Sequence, residues 1–267
     1  WTSSCTTGDK LDDMKDAAKD LIDIVVWKDQ SEFKSRVALV PFSEYVNVSD
    51  TYFKDVTDKK AKGNGNSRTC VSERSNSNRY NDKMPDDGNG YFDYYDGNGT
   101  CRPQATIMPL SSDTTALKTH IDGFGGQGGT AGHLGTAWAW YMLSPKWSSI
   151  WGADKTGMAY SLINEVNEQG KPKLYKIAVL MTDGEFNKKY SGDDSATQAK
   201  KLCTNMKNEG IIVYTVGFEI GSWGSAYNTL KDCATSSEHF YNASNGEQLK
   251  MAFRDIALKI STLRLSE

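Results

Sequence analysis

Two runs in the C-terminal half, Tyr175 to Glu185 (YKIAVLMTDGE) and Ile211 to Glu219 (IIVYTVGFE), constrain the fold of this chain more than any other feature. Each is short and almost continuously apolar, the pattern of a strand buried on both faces rather than one half exposed in an antiparallel sheet. Between them Ala199, Leu202 and Met206 fall on one face of a predicted helix that ends at Gly210. Strand, helix, strand in that order calls for a parallel pair joined by a crossover. A short helix from Tyr227 to Ala234 and a small strand near His239 to Asn242 continue the alternation. The last helix opens on a capping box of Ser244 and Glu247 and carries Leu249, Phe253, Ile256, Ile260 and Leu263 at helical spacing. The expected fold class is α/β, with a doubly wound, Rossmann-like, mostly parallel sheet. In such sheets ligands sit outside the carboxyl ends of the strands.

The N-terminal half is less regular. Leu11, Met14, Ala18, Leu21 and Val25 mark an amphipathic helix from Asp9, and RVALVPF (Arg36 to Phe42) reads as a buried strand stopped by Pro41. From Thr57 to Arg102 the composition turns to Asn, Gly and Asp with almost no aliphatic residues, so residues 57–102 are expected to be a polar insertion rather than core. Its tyrosines, Tyr80, Tyr91, Tyr94 and Tyr95, are expected to pack within it. Ser112 and Asp113 then cap a short helix with Ala116, Leu117 and Ile121 on one face, ending at Gly123. Gly123, Gly125 and Gly128 match G-x-G-x-x-G, but that fingerprint cradles phosphate only when it follows a strand and opens a helix. Here a helix precedes it, so a nucleotide is not expected. The loop instead delivers Thr130 to the start of a helical run from Gly132 to Leu143.

A formal charge of -3 over 267 residues, with both signs interspersed, gives no basic footprint for nucleic acid. No run approaches the roughly 20 apolar residues of a membrane span. The chain opens on Trp1, with neither a signal peptide nor an initiator Met, and is expected to be a processed or trimmed product. Cys5, Cys70, Cys101, Cys203 and Cys233 contain no C-x-x-C and no interleaved His of a zinc site. Cys70 and Cys101 bracket the polar segment, and Cys203 and Cys233 lie on successive predicted helices. Disulfides within each pair, implying an oxidising compartment, stand against five buried thiols, and Cys5 is left over.

Asp183 follows a buried strand directly, where a carboxylate can hold a hard cation such as Mg2+, and Thr130 could offer a hydroxyl oxygen to the same site. Singly, Asp183 could be a turn former and Thr130 a helix N-cap. An enzyme is not expected: His120, His133 and His239 are the only histidines, and no G-x-S-x-G, H-E-x-x-H or complete P-loop occurs. His133 lies near Thr130, where a solvated or capping role is the ordinary expectation. In PDDGNGYFDYYDGNG (Pro85 to Gly99), Asp87, Asn89, Asp93 and Asp96 suit a calcium loop, but Pro85 falls at its first ligand position. The alternative function is thus a calcium-stabilised carbohydrate-binding module, with Trp138, Trp140, Trp147 and Trp151 as sugar platforms or, the commoner role, as packing.

GGT ending in Thr130 and LMTDGE carrying Asp183 resemble the second and third motifs of von Willebrand factor A domains. RVALVPFSEYVNV, CVSER, GGTAGHLGTAWAWYMLSP, KIAVLMTDGEFN, IIVYTVGF and LKMAFRDIALKISTLRL resemble, in that order, segments of TadG-type pilus assembly proteins, over nearly the whole chain. The resemblance implies one von Willebrand factor A-like domain over residues 1–267, with 57–102 inserted in it. It implies a metal-ion-dependent adhesion site, a protein partner that supplies an acidic group, and a periplasmic, cell-surface or extracellular location. Contact with a membrane would be through an anchor outside this chain. It also matches Cys203 and Cys233 to a cysteine pair typical of the group. The family's first metal motif, D-x-S/T-x-S at the end of a central first strand, is absent, and that strand should precede the helix at Asp9.

Overall fold

The computed structural model of the protein describes residues 7–31, 33–60, 68–126, 128–168 and 170–265; Cys5 lies outside them. In the C-terminal half β6 (Ile177–Thr182), β7 (Ile212–Phe218) and β8 (Phe240–Ala243) form a parallel sheet in that order, with Ile177 opposite Ile212 and Thr215 opposite Phe240. The crossovers are α7 (Ser195–Asn208) and α8 (Ser225–Cys233), and α9 (Gly246–Leu265) follows β8. Val213 faces Leu202 and Met206 of α7, whereas Tyr214, Val216 and Phe218 share a core with Leu249, Phe253 and Ile256 of α9. Helices therefore cover both faces, as apolar strands of this kind require. The cap of α9 is displaced by one residue from the expected Ser244 and Glu247. Asn245 Oδ1 accepts from Gln248 N at 2.9 Å and Gln248 Oε1 accepts from Ser244 N at 2.9 Å. Asn caps as well as Ser, and Gln248 reaches back one residue beyond the cap, to Ser244.

The N-terminal half begins with α1 (Thr7–Val25), which packs on α9. β1 (Val37–Leu39) pairs antiparallel with β5 (Met108–Ser111), Val37 opposite Ser111. Between them lie β2 (Val46–Asn47), α2 (Ser49–Thr57), β3 (Cys70–Arg74) and β4 (Phe92–Tyr94), with β2, β3 and β4 forming an antiparallel sheet. α3 (Thr114–Asp122) is capped by Asp113, whose Oδ1 accepts from Ala116 N at 2.9 Å. It is followed by α4 (Gly132–Leu143), α5 (Ser148–Trp151) and α6 (Ser161–Asn164).

The polar segment is less peripheral than its composition implies. All five residues of β3 are buried, and Val71 and Phe92 enter the same core as Trp138, Tyr141 and Trp147. Tyr80 and Tyr94 pack against that core, and Tyr95 lies edge-on to Tyr45. Disulfides join Cys70 to Cys101 and Cys203 to Cys233, with S–S distances of 2.03 and 2.01 Å. Closing loops of 31 and 30 residues, each contributes roughly 3 to 4 kcal/mol in the chain-entropy account.

The sheet is not continuous. No hydrogen bond joins the β1–β5 ribbon to β6 among the described residues, and a cavity of about 740 Å³ lies between them. Val37 to Ser43 form one wall and Ile177 to Asp183 the other. Leu11, Met14, Ala18, Leu21 and Val25, the stripe predicted on α1, all line it. In consequence Ile177, Val179 and Met181 of β6 are only partly buried, although the sequence reads as a strand buried on both faces. Among the described residues no strand fills this gap.

Candidate functional site

Three segments converge where β1 and β6 end. Beyond β1 the chain reaches Ser43, whose carbonyl accepts from Ala131 N at 2.7 Å. Beyond β6 it reaches Asn187 and Lys188, which grip Thr130: Thr130 N donates to Asn187 Oδ1 at 2.8 Å and Lys188 N donates to Thr130 O at 3.1 Å. The glycine loop between α3 and α4 thus has a local explanation that needs no phosphate. Gly128 adopts φ +96°, and Gly129 N donates to Glu44 Oε1 at 3.4 Å. A side chain at Gly128 would be strained by that backbone angle.

Thr130 and Asp183 line the mouth of the same cavity, as does Ser43. The Asp183 carboxylate and the Thr130 hydroxyl make no hydrogen bond among the described residues, and Ser43 Oγ is buried without a protein partner. Thr130 is not the N-cap of α4, since Ala131 holds that position without a side-chain cap. Three oxygen-bearing groups without protein partners at a strand end are the donor type that Mg2+ or Ca2+ prefers, but one carboxylate among them is few for either ion. Among the described residues no three His, Cys, Asp or Glu side chains group as metal ligands do. The residues present fit part of a hard-cation site. Ser43 escaped sequence reasoning because a serine after Pro41 and Phe42 carries no motif.

Asp87 and Asn89 lie on the turn before β4, Asp93 on β4 and Asp96 beyond it, and among the described residues these acids form no group of three. The centre of this loop is instead the buried guanidinium of Arg74. It donates to Gly90 O at 2.6 Å, Met84 O at 3.1 Å and Asn81 O at 3.4 Å, and lies over the rings of Phe92 and Tyr141. A Cβ at Gly90 would overlap that guanidinium. Trp138, Trp140, Trp147 and Trp151 are buried in the core, so none offers a face to a sugar.

His133 is neither solvated nor a cap. It is 1% exposed; Nδ1 meets Ser195 Oγ at 2.8 Å and Nε2 meets Glu73 Oε1 at 2.9 Å. Serine, histidine and carboxylate in that order are the groups of a hydrolytic triad. With Ser195 1% and Glu73 3% exposed, however, no substrate reaches them. His120 Nε2 lies 2.6 Å from Thr106 O and His239 Nδ1 2.7 Å from Ser236 Oγ, both local contacts.

Glu73 also accepts from Tyr190 N and Ser191 N, each at 2.9 Å. Burial opposes its ionisation, but the bonds from His133, Tyr190 N and Ser191 outweigh burial and hold its pKa down at about 2. A depressed pKa contributes stability above the ordinary carboxyl value of 4.5, and that contribution is lost as pH falls toward 2. The gap in unfolding free energy between wild type and Glu73→Gln should therefore be full above pH 4.5 and shrink across that window. Urea titrations at stepped pH would show it, and a constant gap would rule out an ionised Glu73 as the source.

Residues 151–255 match the von Willebrand factor type A domain family. No curated protein matches the sequence. The von Willebrand factor domain of the type V pili tip protein Mfa5 from Porphyromonas gingivalis is similar in structure, with TM-score 0.52 and 13% identity over 99% of this chain and 93% of that one. The pilus adhesin SpaC from Lactobacillus rhamnosus GG is similar at TM-score 0.51 and 12% identity, over 94% of this chain and 28% of that one. Proximal thread matrix protein 1 from the mussel byssus, in a form with a zinc-occupied MIDAS motif, matches at TM-score 0.48 and 15% identity. The match covers 96% of this chain, which spans 43% of the byssus protein's length. The fold is thus α/β of the von Willebrand factor A class, with helices on both faces of a parallel sheet.

Proposed function

We propose that this chain is a non-enzymatic adhesion or protein-binding domain of the TadG type, associated with pilus assembly and exposed outside the cytoplasm. It acts as one von Willebrand factor A-like domain over residues 1–267, with 57–102 as a disulfide-bracketed insertion. Asp183 and Thr130 supply part of a Mg2+ site, and an acidic group of a protein partner completes the ion's coordination. The observation that carries this reading is the placement of the Asp183 carboxylate, the Thr130 hydroxyl and Ser43 Oγ around one cavity mouth without protein partners of their own. Two disulfides fit an oxidising compartment. The buried Ser195–His133–Glu73 row weighs against catalysis, because a nucleophile must be reached by its substrate.

Alone, the residues present hold Mg2+ weakly against its own hydration shell. A longer chain that fills the gap beside β6 with a strand bearing further oxygen ligands should bind Mg2+ saturably, and at least tenfold tighter than residues 1–267. Asp183→Ala in that chain should abolish binding and leave unfolding within about 0.5 kcal/mol of the parent, as for a surface change. Calorimetry on both chains tests this; equal affinities, or binding indifferent to Asp183→Ala, would sink the reading.

A further inference from the structure

We infer that Glu73 is a positioning residue for the candidate site: one buried carboxylate, presented by the disulfide-bracketed segment, fixes both of the loops that carry Thr130 and Asp183. The inference rests on the reading of those two residues as ligands. Glu73 touches neither of them. Its Oε1 accepts from His133 Nε2 at 2.9 Å, and His133 stands in the first turn of α4, three residues after Thr130. The same oxygen accepts from Tyr190 N at 2.9 Å and from Gln198 Nε2 at 3.2 Å, while Oε2 accepts from Ser191 N and Ser191 Oγ at 2.9 and 2.8 Å. Arg79 Nε lies 3.6 Å from Oε2.

Tyr190 and Ser191 belong to the loop that leaves β6 through Asp183. From the point Glu73 holds, the loop reaches back in two places. Asn187 and Lys188 clamp the backbone of Thr130, and Tyr190 Oη donates to Glu44 O at 2.6 Å, next to Ser43. The carboxylate therefore ties the start of α4, the loop after β6 and, through Tyr190, the chain after β1. Every one of these segments ends at the cavity mouth. A buried carboxylate with this many donors is rigid, because withdrawing any donor leaves a desolvated charge short of a partner. That rigidity suits a site whose ligands come from separate loops, since ligand oxygens must be held close to their working geometry by a supporting layer of bonds.

Amide hydrogen exchange on residues 1–267 without added metal tests the inference. The amides of Thr130, Ala131 and Lys188 bond to acceptors other than Glu73, so a role confined to Glu73's own contacts leaves them unchanged. Glu73→Gln should raise exchange at these three amides at least tenfold while Val213 to Val216 in β7 keep their rates, and Glu73→Asp should recover part of the protection. Faster exchange only at Tyr190 and Ser191, or an equal rise throughout β7, overturns the inference. Should Glu73→Gln fail to fold, Ser191→Ala removes one bond from the carboxylate and should give the same pattern at a few-fold amplitude; no change at Thr130 and Lys188 then overturns it. Because this readout needs no ion, absence of Mg2+ binding in the longer chain counts against the metal reading alone.

Discussion

Filling the gap between β1 and β6 with one more strand is expected to raise the stability of this protein by on the order of 5 kcal/mol. Both walls of the cavity are strand edges running toward the same mouth, and among the described residues no strand pairs with either edge on the cavity side. A six-residue strand matches the length of β6. Parallel to both edges, it would pair on two sides at once. Its alternate side chains would meet Leu11, Met14 and Leu21 of α1 on one face, and Ile177, Val179 and Met181 would be covered at their exposed edges. Each side chain fully buried there contributes about 1.5 to 3 kcal/mol, against about 1 to 2 kcal/mol to order each residue of the strand. Hydrogen bonds along both edges add to the favourable side. Denaturant unfolding of a longer chain carrying such a strand, beside residues 1–267, would measure the gain. A Val179→Lys change on the wall should remove most of it. Equal midpoints for the two chains would mean that the cavity does not receive a strand.

Trp138→Ala should cost about 3 to 5 kcal/mol, enough to unfold much of the population in a protein of ordinary stability. The side chain is fully buried. Its ring lies 5.0 Å from Phe92, 5.5 Å from Tyr141 and 5.8 Å from Trp147, and Tyr141 and Trp147 stack at 4.5 Å. Removing it opens a void bounded by rings that cannot collapse together. Trp138→Phe is the informative contrast. Trp138 Nε1 has no partner among the described residues, so phenylalanine gives up volume but also an unsatisfied buried donor. A loss of about 1 kcal/mol or less is expected for that change. Thermal unfolding of both variants tests the pair, and a cost for Trp138→Ala below about 1 kcal/mol would contradict the core role assigned to this ring.

The alternation of β6, α7, β7, α8, β8 and α9 was legible because β6 and β7 are nearly continuous apolar runs and the helices between and after them keep their period. Asp183 could be placed at the carboxyl edge of the sheet because it directly follows such a run, whereas Thr130, on a loop between two helices, was brought there only by its likeness to the second motif of the resembled family. β3 was not legible. CVSER reads as polar, and a window on the sequence cannot see that Glu73 and Arg74 will find hydrogen-bond partners when buried, His133 and the Tyr190–Ser191 amides for one, three backbone carbonyls for the other. The same limit hid His133, whose neighbours in sequence are small and apolar and whose two partners lie 60 and 62 residues away. The cap of α9 slipped by one residue because Ser244 and Asn245, like Glu247 and Gln248, are near-equivalent in capping strength, and local spacing could not rank them.

The Arg74 guanidinium gives the Asn- and Gly-rich loop a covalently tethered cation. Three carbonyls turn inward upon a positive charge there, as they do around calcium in loops of similar composition. An ion must be drawn from the surroundings and can be lost to dilution or competition, whereas an arginine arrives with the chain at fixed stoichiometry. The architecture of this loop is thereby independent of the divalent ions in its surroundings.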